Sequence, residues 1–371
     1  MNKFLHATAH GAQAHLLLER CLDSLGPLPQ QANVGFLYAT DSLGNELPEM
    51  LTRLKQHAPW VTWVGSTGIG ICTTAQEFYE EPALTLMLGA FPEDGFRLVT
   101  ALTKESRDVG LDSWWAEQQL CFALLHGDPA NGEIVETLKE IAAGPYTSFL
   151  NGGLSSSRSQ NYQIADQVIS GELSGILFNE QVEVLTDHTQ GCSPIGPVHH
   201  LTQVKGNIAI SIDSLPAVEV LKQELGEELS RNLMQSAGRV FTALPIAGSD
   251  TGDYLVRNLI GIDEEQGLLA IGDYLENQNQ LMFCRRDEKT ATEDMLRMLD
   301  RLKSRLGKRQ IRGGIYITCL GRGRYQFGDD SEELKLIQQA LGDFPLVGFF
   351  ANGEIYNARL YGYTGVLTLF V

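Results

Sequence analysis

The sequence predicts a mixed α/β (α+β) fold in which helices cover β-sheets. Three observations carry this. Short β-branched or aromatic runs bounded by turn residues recur along all 371 residues. Stretches with apolar residues three to four apart lie between them. One order of elements also returns three times: helix, strand, helix, strand, glycine turn, strand. The chain therefore reads as repeated αβαββ units, arranged in two tightly packed halves.

The first unit begins with a helix over about 12–24 and the strand VGFLYA at 34–39. A helix over 46–57 and the strand WVTWVG at 60–65 follow, running into the turn STGIG at 66–70. Strands at 83–88 and 96–99 close the unit. In the second, the strand LCFALL at 120–125 precedes a turn at 126–129 and a helix over 132–143. The strand at 146–150 ends in Asn151, Gly152 and Gly153, before a polar run at 155–161 and strands near 167–178 and 182–185. The third has a helix over 292–306, the strand GIYITC at 314–319 and a helix over 331–341. The strand LVGFF at 346–350, a turn at 351–354 and a strand at 365–371 complete it.

Between units two and three the pattern changes. A strand at 200–213 and a helix over 217–229 lead into strand-like runs at 240–246, 254–262, 268–274 and 281–285. Turn signals at 248–250 and 265–267 separate them, which reads as antiparallel β. We place a boundary between residues 215 and 216, giving domains 30–215 and 216–371.

Net charge is −18, which repels phosphate backbones and predicts no nucleic-acid and no membrane partner. No run approaches the roughly 18 apolar residues of a spanning helix, and the N-terminus lacks a signal-peptide core. The six cysteines are scattered without a Cys-x-x-Cys pair, which argues against a zinc site or a disulfide framework. These features together predict a cytoplasmic protein.

No catalytic constellation is evident. Gly68-Ile69-Gly70 lacks the following helix and acidic partner of a dinucleotide fingerprint. Cys319 and Cys192 are the candidate nucleophiles of a rival reading, a cysteine-dependent enzyme acting on a small carboxylate. His199 and His200 lie near Cys192, but an unreactive thiol is the better reading of each. His6, His10 and His15 cluster at an end expected to fray, and His126 suits a turn. Of the adjacent Trp114 and Trp115, one is expected in the core and one at the surface. Arg257 with Asp263, and Arg286 with Asp287, read as solvated ion pairs or a polar network.

Ligands in α/β sheets settle at strand ends, where glycine turns let them approach the backbone. Gly65 and Ser66, Gly152 and Gly153, and Asn352 and Gly353 are such positions, unless they only make tight turns. Cys319, Arg322 and Glu354 follow neighbouring strands of the third unit. Arg322 suits a carboxylate and Glu354 an amino group, so the set suits an amino acid. An exposed ion pair beside a structural thiol is the alternative. The ligand-binding set is thus Cys319, Arg322, Asn352, Gly353, Glu354, Gly65, Ser66, Gly152 and Gly153, and it predicts that Arg322, Asn352 and Glu354 line a shared hollow.

The run CLGRGR at 319–324 resembles a Cys-x-Gly-Arg-Gly segment of the FIST (F-box and intracellular signal transduction) family, and VGFFANGEI at 347–355 resembles its Gly-Phe-Phe-x-x-Gly-Glu-Ile segment. The ending LYGYTGVL at 360–367, YLVRNLIGID at 254–263 and Arg285-Arg286-Asp287 are similar to the C-terminal half. VGSTG at 64–68 and GCSPIGP at 191–197 look like the N-terminal half. The resemblance covers roughly 30–371. It implies a sensory domain for a small ligand, amino acids among those suggested, and extends to a haem-binding, nitric-oxide-responsive subgroup. Relatives often carry an output module. Without room for one, this chain is expected to bind its ligand alone or to signal through a separate protein.

Overall fold

The computed structural model describes residues 3–102, 113–115, 117–118, 120–143, 148–230, 233, 240–246, 254–357 and 359–371. The chain forms two compact units, one of residues 1–189 with 295–371 and one of residues 190–294. The expected boundary at 215/216 falls inside the second of these.

In the first unit, one topology is built three times. The first repeat runs β1 (Leu5–His10), α1 (Ala14–Leu25), β2 (Val34–Thr40), α2 (Leu47–His57), β3 (Thr62–Gly68), the hairpin β4 (Gly70–Thr73) and β5 (Gln76–Tyr79), then β6 (Ala83–Gly89). The second runs β7 (Phe96–Val99), β8 (Cys121–Gly127), α3 (Ile134–Ala143), β9 (Ser148–Leu154), the hairpin β10 (Gln163–Ala165) and β11 (Val168–Ile169), then β12 (Leu173–Asn179). The third opens with β13 (Val184–Gln190).

The second unit then intervenes. It holds β14 (Cys192–Lys205), β15 (Ile208–Ile212), β16 (Leu215–Pro216), α4 (Ala217–Ser230), β17 (Val240–Pro245), β18 (Tyr254–Asp263), β19 (Leu268–Ile271) and β20 (Gln280–Arg286). Its strands make one sheet, ordered β14-β20-β17-β18-β19-β15-β16, with α4 burying Val218, Leu221 and Leu225 in the same core as Leu269 and Phe283. The third repeat resumes with α5 (Glu288–Leu306), β21 (Gly313–Cys319), α6 (Arg324–Phe327), α7 (Glu332–Leu341), β22 (Leu346–Ala351), the hairpin β23 (Glu354–Tyr356) and β24 (Arg359–Tyr361), then β25 (Thr364–Phe370).

The three sheets of the first unit share one strand order, β1-β6-β2-β3, β7-β12-β8-β9 and β13-β25-β21-β22, and each then continues into a hairpin. That hairpin is always borrowed. The first sheet takes β10-β11, the second β23-β24 and the third β4-β5, so the exchange runs in a ring. The expected αβαββ repetition therefore holds, with a leading strand and an exchanged hairpin added. In each sheet the central pair is parallel (β2 with β3, β8 with β9, β21 with β22), and a helix makes the crossover that parallel strands require.

One glycine recurs in these pairs. Gly65, Gly152 and Gly348 lie opposite Leu37, Leu125 and Tyr316. A Cβ there would stand 1.7, 1.9 and 1.7 Å from the carbonyl oxygen of that partner, so no side chain fits. The inward faces meet in an aromatic core, where Phe91 lies 5.0 Å from Phe178 and 5.3 Å from Phe370. On the outer face of the first sheet, Leu17, Leu18 and Cys21 of α1 and Met50, Leu51 and Leu54 of α2 cover Leu37, Trp63 and Leu86.

Several expectations change. The N-terminus does not fray: Leu5 to His10 pair in register with β6, and Ala7 and Ala9 are buried. Trp114 and Trp115 are both buried, in one cluster with Cys121 and Leu125, and Arg97 stacks on Trp114 at 5.1 Å. The strand expected from residue 200 begins at Cys192. Arg257 binds Asp273 at 2.7 Å rather than Asp263. Residues 146–147 and the turn at 248–250 lie outside the described residues. Among the described residues no helix is long and apolar enough to cross a membrane.

Candidate functional site: the strand-end hub of the first unit

The carboxyl ends of the three parallel pairs converge. Ser156 Oγ donates to the Phe350 carbonyl at 2.5 Å and accepts from the Ile69 N–H at 2.9 Å, while its own N–H reaches the Thr67 carbonyl. One serine thus ties together residues of the first and third repeats. Ser66 and Ser155 share a hydrogen bond of 2.9 Å, and Gln163 donates to Ser155 at 2.6 Å. Tyr38 and His126 meet at 3.1 Å on the inner side. Burial lowers the His126 pKa to about 3, so the imidazole is neutral. His126 is a buried strand residue rather than a turn residue. Gly65 and Ser66 therefore sit in a filled polar contact of small side chains.

Pairing of β9 with β23 sets Gly153 opposite Glu354 and Gly152 opposite Ile355. This brings two of the expected glycines beside the expected carboxylate. Glu354 is fully buried. Its Oε2 accepts from the Thr364 hydroxyl at 2.7 Å and the Thr364 N–H at 3.1 Å, and its Oε1 has no hydrogen-bond partner among the described residues. Burial pushes its pKa up to about 8, against the opposing pull of Thr364 and Arg322. Cys319, at the end of β21, is partly exposed beside it. Burial and the Glu354 carboxyl push the Cys319 thiol well up. A thiol held protonated is a poor nucleophile at neutral pH.

Arg322 is also fully buried, but it does not face a hollow. Its Nε donates to Glu333 Oε1 at 2.7 Å, and its Nη2 lies 2.6 Å from the same oxygen. Tyr316 donates to that oxygen at 2.6 Å, and the Gly323 N–H donates to Oε2 at 2.9 Å. The guanidinium charge is consumed inside the protein, because a buried cation without a counter-ion is costly. Asn352 is exposed, and its N–H donates to the Leu154 carbonyl at 3.0 Å. The expected trio therefore divides: Arg322 and Glu354 lie within electrostatic reach of each other, while Asn352 is exposed on the turn before Glu354 and Gly353 is half-buried.

Four contributors escaped the sequence reading. Glu333 faces inward from α7 beside Leu334 and Ile337, and a charge on the apolar face of a helix is the signal that marks it. Thr364 opens β25 and holds Glu354. Glu77 and Tyr79 come from the borrowed hairpin β4-β5, and the Glu77 N–H donates to Ser331 Oγ at 3.1 Å. Burial, then the neighbouring Glu333, push Glu77 up to about 8. Among the described residues no three His, Cys, Asp or Glu gather as a metal site.

In the second unit, the rival pair does not form. Cys192 opens β14 and His199 lies seven residues along it, roughly 20 Å at the strand rise. His199 instead bonds Asp213 at 2.7 Å, and Cys192 interacts with Cys284.

Comparison with known proteins places a FIST N domain over residues 33–214 and a FIST C domain over residues 217–357. Uncharacterized proteins of two Mycobacterium tuberculosis strains are 28% identical over 356 residues, covering 90% of each chain. An uncharacterized Mycobacterium bovis protein is 33% identical over 193 residues, 49% of each chain.

Proposed function

Since the chain belongs to the FIST family, whose domains are associated with sensing in signal transduction, we propose that it binds a small ligand at the strand-end hub of the third repeat. The carrying observation is Glu354: a buried carboxyl with one oxygen held by Thr364, the other unpartnered, and the partly exposed Cys319 beside it. An unpaired buried polar atom is costly, so a ligand that supplies a hydrogen-bond donor there gains a strong partner. An ammonium group is the best such donor, because its charge offsets the burial that holds the carboxyl near pKa 8 and favours the carboxylate, whose proton is released to solvent. Arg322 is already paired, so a ligand carboxylate would find its donors at the rim, where the Asn352 amide is exposed. This favours a small amine or amino acid read through its amino end. A response would pass through β25 or the borrowed hairpin.

The test is a thermal-shift and calorimetric screen of the full chain against amino acids and small primary amines. We expect at least one to raise Tm, and Glu354→Gln to weaken that ligand tenfold or more while the free protein stays folded. Unchanged binding by Glu354→Gln, or no shift with any amine, overturns the reading.

A further inference from the structure

At the opposite, amino-terminal ends of the same strands the first unit has a groove of about 640 Å³. This is within the size range of small-molecule sites. Its floor and walls come from the segments entering β2, β3 and β21 and leaving β6, and they include Gln30, Trp60, Thr62, Phe96, Arg312 and one carboxylate, Glu93. Trp60 is 39% exposed and supplies a large aromatic surface to the groove wall. Phe96 is partly buried and packs edge-on to Phe91.

Arg312 distinguishes this groove from an ordinary surface depression. Its Nη2 donates to the Ala90 carbonyl at 2.6 Å and its guanidinium lies 5.0 Å over the Phe4 ring, which fixes the head group in the wall. Arg312 forms no ion pair within 4.0 Å among the described residues, not even with Glu93 of the same groove, in a chain whose net charge is −18. Burial lowers its pKa, which an anion would reverse. The amides of Gln30 and Gln31 and the Thr62 hydroxyl carry no hydrogen bond among the described residues, so further polar groups are available at the rim.

We infer that this groove is a second ligand site, specific for a small organic monocarboxylate with a planar or apolar body, in which Arg312 holds the carboxylate and Trp60 and Phe96 flank the body. The lining holds one cation, Arg312, and one carboxylate, Glu93, so a single negative charge is the most the groove can balance. A phosphate, at about −1.5 to −2 near pH 7, would be left under-compensated. The inference does not depend on the Glu354 hub, which lies at the other end of the strands.

Calorimetry and tryptophan fluorescence on the full chain test it with phenylacetate, indole-3-acetate and hexanoate as probes. Phenylacetamide serves as the uncharged control and inorganic phosphate as the competitor. We expect at least one carboxylate to bind, the amide to bind at least tenfold more weakly, and phosphate not to compete. Arg312→Gln should reduce carboxylate binding at least tenfold. Trp60→Ala, at an exposed position where folding is safe, should weaken it several-fold. Glu354→Gln should leave it unchanged, so the two sites are read separately. Equal binding of acid and amide, full binding by Trp60→Ala and Arg312→Gln, or no binding of any of the three acids at millimolar concentration overturns the assignment.

Discussion

At the scale of single residues, the decisive fact is that Arg322 spends its charge on Glu333. The sequence showed an arginine among glycines at a strand end, the usual setting of a ligand clamp. It could not show that a carboxylate on the inner face of α7 would take both Nε and Nη2. Arg322→Met leaves the buried Glu333 carboxylate with Tyr316 and the Gly323 N–H but no cation. We expect a loss of about 3–5 kcal/mol, the range for breaking one half of a buried pair, read as a shift in the urea midpoint. Replacing both partners, Arg322→Met with Glu333→Leu, should recover much of that loss. Gly365 belongs to the same arrangement, since a Cβ there would meet the Tyr316 hydroxyl at 2.1 Å. Glu354 was legible because it follows a glycine turn. Thr364, which orients it, was not, because a threonine at the start of a strand carries no distinguishing pattern.

Among elements, what the sequence reveals is local and what it hides is long-range. The threefold order of helices and strands was readable, since each run is short, apolar and punctuated by glycine. The hairpin exchange was not: β4 follows β3 in sequence yet pairs with β22, with β5 beyond it at the sheet edge. No period in the chain announces that. β1 was missed because its alternation is weak, with alanines rather than large side chains buried under the covering helices. Gly65 and Gly152 were visible in the sequence as glycines at strand ends, but what joins them to Gly348, a carbonyl where a Cβ would stand, was not. Gly65→Ala puts a methyl group against the Leu37 carbonyl. We expect it to cost about 1–3 kcal/mol or more, as overpacking does. Gly132→Ala, with nothing within 4 Å of the added carbon, should stay within about 0.5 kcal/mol. Paired denaturation curves decide this.

For the whole molecule, the two buried carboxyls set how stability depends on pH. Glu77 and Glu354 each rise from 4.5 to about 8. Between those values the folded chain holds protons that the unfolded chain has released, so their contribution is complete below pH 4.5 and is lost as pH climbs toward 8. His126 works the other way: lowered from 6.5 to about 3, it costs stability as pH falls below 6.5. Between pH 6.5 and 8 the carboxyls act without that opposition. There we expect stability to fall by at most about 1.4 kcal/mol per pH unit for each carboxyl. Glu354→Gln should roughly halve the slope in urea titrations across that interval. A flat profile would show that neither group stays protonated in the folded chain.

The ring of exchanged hairpins also has a consequence during synthesis. Thr73, in β4, bonds the carbonyl of Leu346, which follows it by 273 residues. At roughly 5–20 residues per second, the first hairpin leaves the ribosome on the order of 15–55 s before the strand it must join exists. Throughout that interval the nascent chain carries an open β edge, the kind of surface that chaperones cover and crowded polysomes tangle.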